Sequence, residues 1–139
     1  MEKQNISMQL KGIELLNFHL DKPKEPIDSQ TTFTFNINIE HRINKNKKLI
    51  IVTASIAILH EQKNIKMGSF SAACTFEISN IEDFITTNDN QVNIPEQLIF
   101  TLNSVTLSTV RGMMFSQFRG TFLHNAVLPL ADVRAINTQ

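Results

Sequence analysis

PEQLIFTLNSVTLSTVRGMMFSQF, residues 95–118, is the stretch that sets the fold. It has the length of a long helix, with Asn93 ahead of it as a candidate N-cap, Pro95 in its first turn and no further proline until Pro129. On a helical wheel its apolar residues fall into two groups. Leu98, Ile99, Leu102, Val105, Val110 and Met113 make a broad stripe, and Phe100, Leu107, Met114 and Phe118 make a narrower seam on the opposite side. One stripe can lie on the chain's own sheet; the second needs another cover. Each large apolar side chain taken out of water is worth roughly 1.5–3 kcal/mol, so a seam of this size rivals the net stability of a whole domain, about 5–15 kcal/mol. The seam is therefore expected to be an oligomer interface, with the helix sandwiched between copies of the chain. Gly112, inside the helix, is expected to allow a close backbone approach or to mark a break.

The sheet for the broad stripe lies upstream. Residues 31–43 alternate cleanly, with Phe33, Phe35, Ile37, Ile39 and Ile43 on one face and Thr32, Thr34, Asn36, Asn38 and Glu40 on the other. A lysine-rich turn at 44–48 leads into residues 49–60, which are apolar on both faces and so predict a strand covered on both sides. Residues 65–78 place Phe70, Ala72, Cys74, Phe76 and Ile78 together. From Ile6 to Leu20 the alternation changes phase twice, which predicts a long strand with a bulge or bend near Gly12. Residues 21–30, with Pro23 and Pro26, read as a loop. Ser79 and the acidic residues after it predict a short helix over 81–86, and a polar loop runs on through Asn93. The fold class is α+β, a four-stranded antiparallel sheet followed by a long C-terminal helix, in one domain spanning residues 1–139.

Composition narrows the function classes. Hydrophobic residues at 42% and charged residues at 19% belong to a chain that folds rather than to a disordered one. Thirteen Lys plus Arg balance thirteen Asp plus Glu, so no electrostatic footprint for nucleic acid or an anionic membrane is expected. No uncharged apolar run reaches the roughly 18 residues of a membrane span. The single Cys74 lies in the core pattern with nothing basic beside it, as a structural thiol does. Without a signal-like N-terminus or a disulfide, a cytoplasmic location is expected. His19, His41, His60 and His124 have no metal-ligand spacing, and four glycines form no phosphate-cradling loop. Neither a catalytic residue nor a metal nor a cofactor is expected.

The order of four strands and a long helix, an Arg-Gly near the end of that helix, and an apolar segment running on to Leu128-Pro129 resemble the SecB family of protein-export chaperones and its SecB-like relatives. The resemblance covers about residues 6–131 and is sharpest in the last third. Two registers fit the Arg-Gly. Arg119-Gly120-Thr121-Phe122 stands at the SecB-like distance from Leu128-Pro129, and Arg111-Gly112 stands in the Ser-Thr-x-Arg-Gly setting of more divergent relatives. The resemblance implies a cytoplasmic homotetramer, a dimer of dimers with helices between two sheets, that holds unfolded polypeptide clients for translocation without ATP. By that implication Leu16, Phe18, Phe33, Phe35, Phe122, Leu123, Val127 and Leu128 are the client-contact candidates, and Phe100, Leu107, Met114 and Phe118 the oligomer interface. Two departures stand out. Only ten residues follow Pro129, so the second helix that flanks the client groove is expected to be missing or vestigial, and the neutral charge argues against docking to the export motor SecA.

Three other roles share these features. The chain could serve as the chaperone of a toxin-antitoxin pair, as a small-molecule binding domain with sheet and helix as pocket walls, or as a plain assembly subunit without clients.

Overall fold

Alternation over residues 33–44, 49–60 and 66–78 gives three long strands whose even and odd positions face opposite ways. The computed structural model describes residues 6–28, 30–83, 86–88 and 91–129. Strands β1 (Met8–Leu20), β2 (Phe33–Asn44), β3 (Leu49–His60) and β4 (Lys66–Ile78) form an antiparallel sheet in the order β1-β4-β3-β2. A single 3-10 turn follows at Ile81–Asp83, then a small hairpin of β5 (Thr86–Asn88) and β6 (Gln91–Asn93), and then helix α1 (Glu96–Gln117). The fold class read from the sequence is the one observed. The sequence missed the hairpin: Thr86, expected to end the short helix over 81–86, instead starts β5, and the rest falls in the expected polar loop, in strands too short to show a period.

Register decides what faces the helix. Ile39 pairs with Ala54, Ala54 with Ala72, and Ile56 with Phe70, so the β2 odd positions and the β3 and β4 even positions share one face. On that face Ile50, Val52, Ala54, Ile58, Ala72, Cys74 and Ile78 are completely buried. The other face of β3 is not fully covered as expected: Leu49, Ile51, Ala57 and Leu59 are half-buried among the side chains of β2 and β4. Ser55 and Ser71 share a 3.1 Å hydroxyl hydrogen bond there.

The two phase changes in the first strand are two bulges in the β1–β4 ladder, one between Leu10 and Gly12 and one between Leu15 and Asn17. Each inserts one residue and so resets the side-chain alternation. Met8, Leu10, Ile13, Leu15, Phe18 and Leu20, which a regular strand would scatter over both faces, end up beside Ile78, Phe76, Cys74, Ala72, Phe70 and Gly68 on the helix side.

The helix begins two residues later than the Asn93 cap implies. Pro95, at φ −56 and ψ 138, is the last extended residue, and no side chain caps the first turn. At the other end the Phe118 amide donates to the Met114 carbonyl. Gly112 neither breaks the helix nor admits a neighbour, since a Cβ there would meet nothing within 4 Å. The 22-residue helix is long and apolar enough to pass for a membrane span; here Leu98, Leu102, Leu107, Val110 and Met114 are buried within the single chain.

That burial corrects the expected oligomer seam. Leu107, Met114 and Phe118 are 3%, 1% and 1% exposed within the single chain, and of the four seam residues Phe100 alone is exposed, at 40%. The two stripes are joined through buried Asn103, Thr106 and Val110 into one broad arc. The cover for its second side comes from the same chain: Leu123, Ala126 and Leu128, downstream of the helix, are buried in the same core as Leu107, Met114 and Phe118. Phe118 also meets Phe70 of β4 edge-to-face, with ring centroids 5.9 Å apart.

One glycine makes this closure possible. A Cβ on Gly68 would lie 2.6 Å from Leu123 Cδ1 and 2.7 Å from the His19 carbonyl oxygen. Leu123 can move, but the β1 backbone cannot without breaking the ladder. Gly68→Ala is expected to cost roughly 1–3 kcal/mol by overpacking, whereas Gly12→Ala, with open space around it, should stay within about 0.5 kcal/mol. Urea denaturation of the two variants checks the difference.

Candidate polypeptide-binding surfaces

The helix sits over β3 and β4. Positions 103, 107 and 111 are spaced by four and lie along one flank. On that flank Asn103, almost fully buried, accepts a hydrogen bond of 2.7 Å from His41 Nε2 of β2. Further along it, the Arg111 guanidinium donates from Nε to the Leu128 carbonyl at 2.7 Å and from Nη2 to the Pro129 carbonyl at 3.0 Å. Residues 118–129 therefore fold back as a strap that crosses β4, where Leu123 lies over Gly68, and ends on this flank of the helix at Leu128 and Pro129. Its reversal uses a run of turns, with Gly120 at φ 81; Thr121 N–H donates to the Phe118 carbonyl and Ala126 N–H to the Leu123 carbonyl. Of the two Arg-Gly pairs, Arg111 grips Leu128-Pro129, and Arg119-Gly120 begins the turn.

The β1 flank is different. Val105, Thr109 and Met113 are half-buried, and Gly112 and Ser116 are exposed. Beside them Leu10, Ile13, Leu15 and Phe18 of β1 are 39–50% exposed, on a strand that pairs only with β4. An apolar stripe and an unpaired backbone edge coincide there, the two features that take up extended chain.

The eight client-contact candidates are divided among these places. Phe18 belongs to the β1 stripe, and Leu16 sits at the second bulge, 47% exposed. Phe33 and Phe35 are half-buried on β2, at the opposite edge of the sheet, roughly 14 Å away across three strand spacings. On the strap, Val127 is exposed and Phe122 half-buried, but Leu123 and Leu128 are buried core and, with the strap in place, cannot meet a client. The sequence reading passed over Leu10, Ile13 and Leu15; the phase slips that align them with Phe18 were the signal. The expectation of a missing second helix falls on residues 130–139, outside the described residues.

Other chemistry is sparse. A cavity of about 890 Å³ lies between the loop after β1 and the β3–β4 turn. Its lining carries both signs, Lys22, Lys24, Lys63 and Lys66 against Asp21, Glu25 and Asp28, and Lys63 pairs with Glu25 at 2.9 Å. Lys63 holds the Glu25 carboxyl below its usual range by hydrogen bonding and charge. Among the described residues no group of three or more His, Cys, Asp or Glu could hold a metal ion.

No family model matches the sequence, and no curated protein sequence matches it. The structure does have relatives. A SecB-like chaperone of Mycobacterium tuberculosis, solved in complex with a ChAD peptide from an antitoxin, superposes with a TM-score of 0.61 over 89% of each chain at 12% identity. The fold is SecB-like. A protein of unknown function from Streptococcus agalactiae is a more distant match, with a TM-score of 0.40 at 10% identity over 84% of this chain and 90% of that one. In this SecB-like fold the four-stranded sheet and the single helix correspond to those read from the sequence, and identity is too low for residue roles to pass across.

Cys74 is fully buried beneath the helix of this SecB-like fold. Burial pushes its thiol up, opposed in part by the hydroxyls of Thr106 and Thr109. The thiol therefore stays protonated at neutral pH, and thiolate is the reactive species. In the native protein a thiol-specific colorimetric reagent is expected to label Cys74 at least about a hundredfold more slowly than in denaturant; equal rates would contradict its burial.

Proposed function

We propose that this chain is a chaperone that holds extended, unfolded polypeptides without ATP in the cytoplasm, and that it does so as a homo-oligomer, a tetramer built as a dimer of dimers. The observation that carries the proposal is the bulge-aligned stripe on β1, four large apolar side chains 39–50% exposed along an open strand edge. With about half of each side chain still to be buried, covering the four is worth roughly 3–6 kcal/mol, before any backbone pairing. A second copy is the first polypeptide to occupy that edge. Assembly thus moves from the helix seam to β1.

The fold supports polypeptide holding through its SecB-like neighbour, which was solved with a bound antitoxin peptide. That complex favours the toxin-antitoxin role as the second reading, and the neutral charge points the same way by disfavouring a basic docking tail on an export motor. Catalysis is not part of the proposal. The helix and sheet, the expected walls of a small-molecule pocket, pack directly on each other through Leu98, Leu102, Val110, Phe70 and Phe76.

Light scattering at about 10 µM is expected to give the mass of a tetramer for the wild type and a smaller species for Leu15→Asp/Phe18→Asp. A monomeric wild type would overturn the assembly. The wild type should also suppress aggregation of a chemically denatured test protein equally with and without ATP, and absence of suppression at molar excess would overturn the holding function.

A further inference from the structure

The strap is held to the rest of the chain by few bonds. Among the described residues its backbone hydrogen bonds are local: Thr121 to Phe118, His124 to Thr121, Ala126 to Leu123 and Val127 to Asn125. None joins it to a strand. What fixes it are three buried apolar side chains, Leu123, Ala126 and Leu128, the half-buried Phe122, a ring contact between His124 and Phe115 of the helix, and the two bonds from Arg111 to the carbonyls of Leu128 and Pro129. Those carbonyls belong to any peptide, so Arg111 recognises main chain and not sequence. The strap runs through turns as far as Asn125, and its last residues, 126–129, reach the Arg111 flank of the helix, where Ala126 and Leu128 are apolar anchors and the backbone is gripped.

Burial compares the two flanks. Leu107 and Met114, on the strap side, are 3% and 1% exposed, whereas Val105 and Met113 on the open side remain half-buried. Lifting the strap would uncover an apolar groove with a guanidinium at its rim and Gly68 as a notch in its floor.

We infer that the strap is a built-in competitor: residues 120–129 fill a groove for an apolar polypeptide segment, and a client enters by displacing them and taking over the Arg111 bonds. This rests on the polypeptide-holding function proposed above and adds its regulation. A protein whose binding-competent state is only partly populated binds more weakly by that fraction, so loosening the strap should tighten binding.

The probe is a fluorescent peptide of the strap's own sequence, GTFLHNAVLP, residues 120–129, titrated into full-length protein and followed by anisotropy. Leu128→Ala should bind it at least about fivefold more tightly than the wild type. Adding Arg111→Ala to that variant should lose about fivefold again, since the backbone donor is gone. Equal or weaker binding by Leu128→Ala would overturn the inference. Amide hydrogen exchange on the wild type guards against a variant that folds poorly: saturating peptide should speed exchange at Thr121, His124, Ala126 and Val127, and unchanged or slower exchange there would overturn it. If the wild type suppresses aggregation while these results fail, the strap is structural and the holding function stands. If suppression fails too, both fall.

Discussion

A single α-helix about 10–12 Å across cannot cover a four-stranded sheet whose outer strands lie roughly 14 Å apart. The rest of this structure depends on that mismatch. Helix α1 is seated over the two central strands, β3 and β4, where the completely buried residues are concentrated. Each outer strand is left with an apolar inner face and a flank of the helix beside it. On the β2 side the chain supplies its own cover, the strap that runs back from Phe118. On the β1 side the described residues leave Leu10, Ile13, Leu15 and Phe18 39–50% exposed.

The two flanks also differ chemically. The β2 flank is tied by polar contacts that fix direction, His41 to Asn103 and Arg111 to the strap carbonyls. These bonds cross a largely apolar boundary, where an unpaired donor would be costly, so they specify how strap and helix align. The β1 flank has an apolar stripe and a bare strand edge. A naked edge is an aggregation hazard in a protein meant to be alone and an asset in one that binds chains.

Much of this was legible in the sequence. The alternation of Phe33, Phe35, Ile37 and Ile39, and of Phe70, Ala72, Cys74 and Phe76, gave the strands and their core face because a period of two is unambiguous over that length. The phase slips between Leu10 and Ile13 and again at Leu16 were visible, and a bulge or bend near Gly12 was legible from them; that there were two bulges, and that they aligned one stripe, needed the register with β4. The oligomer seam on Leu107, Met114 and Phe118 was misplaced for a clear reason. A helical wheel shows that a second apolar side needs cover, not who provides it, and the strap that does so has turns instead of a period. Leu123 and Leu128 looked available to clients for the same reason, since an irregular segment carries no sign of which residues it buries. Gly68 was silent too: its role is a close approach between β1 backbone and a residue 55 positions downstream, Leu123.

What unites these features is an appetite for apolar polypeptide, met on one flank by the chain's own strap and at β1 from outside the chain. The most direct test is equilibrium binding of a labelled protein kept permanently unfolded by reduction and carboxymethylation, with its native, disulfide-intact form as control. Saturable micromolar binding of the unfolded form without ATP is expected, and none of the native form. No binding of the unfolded form up to about 100 µM, or equal binding of both, would contradict it.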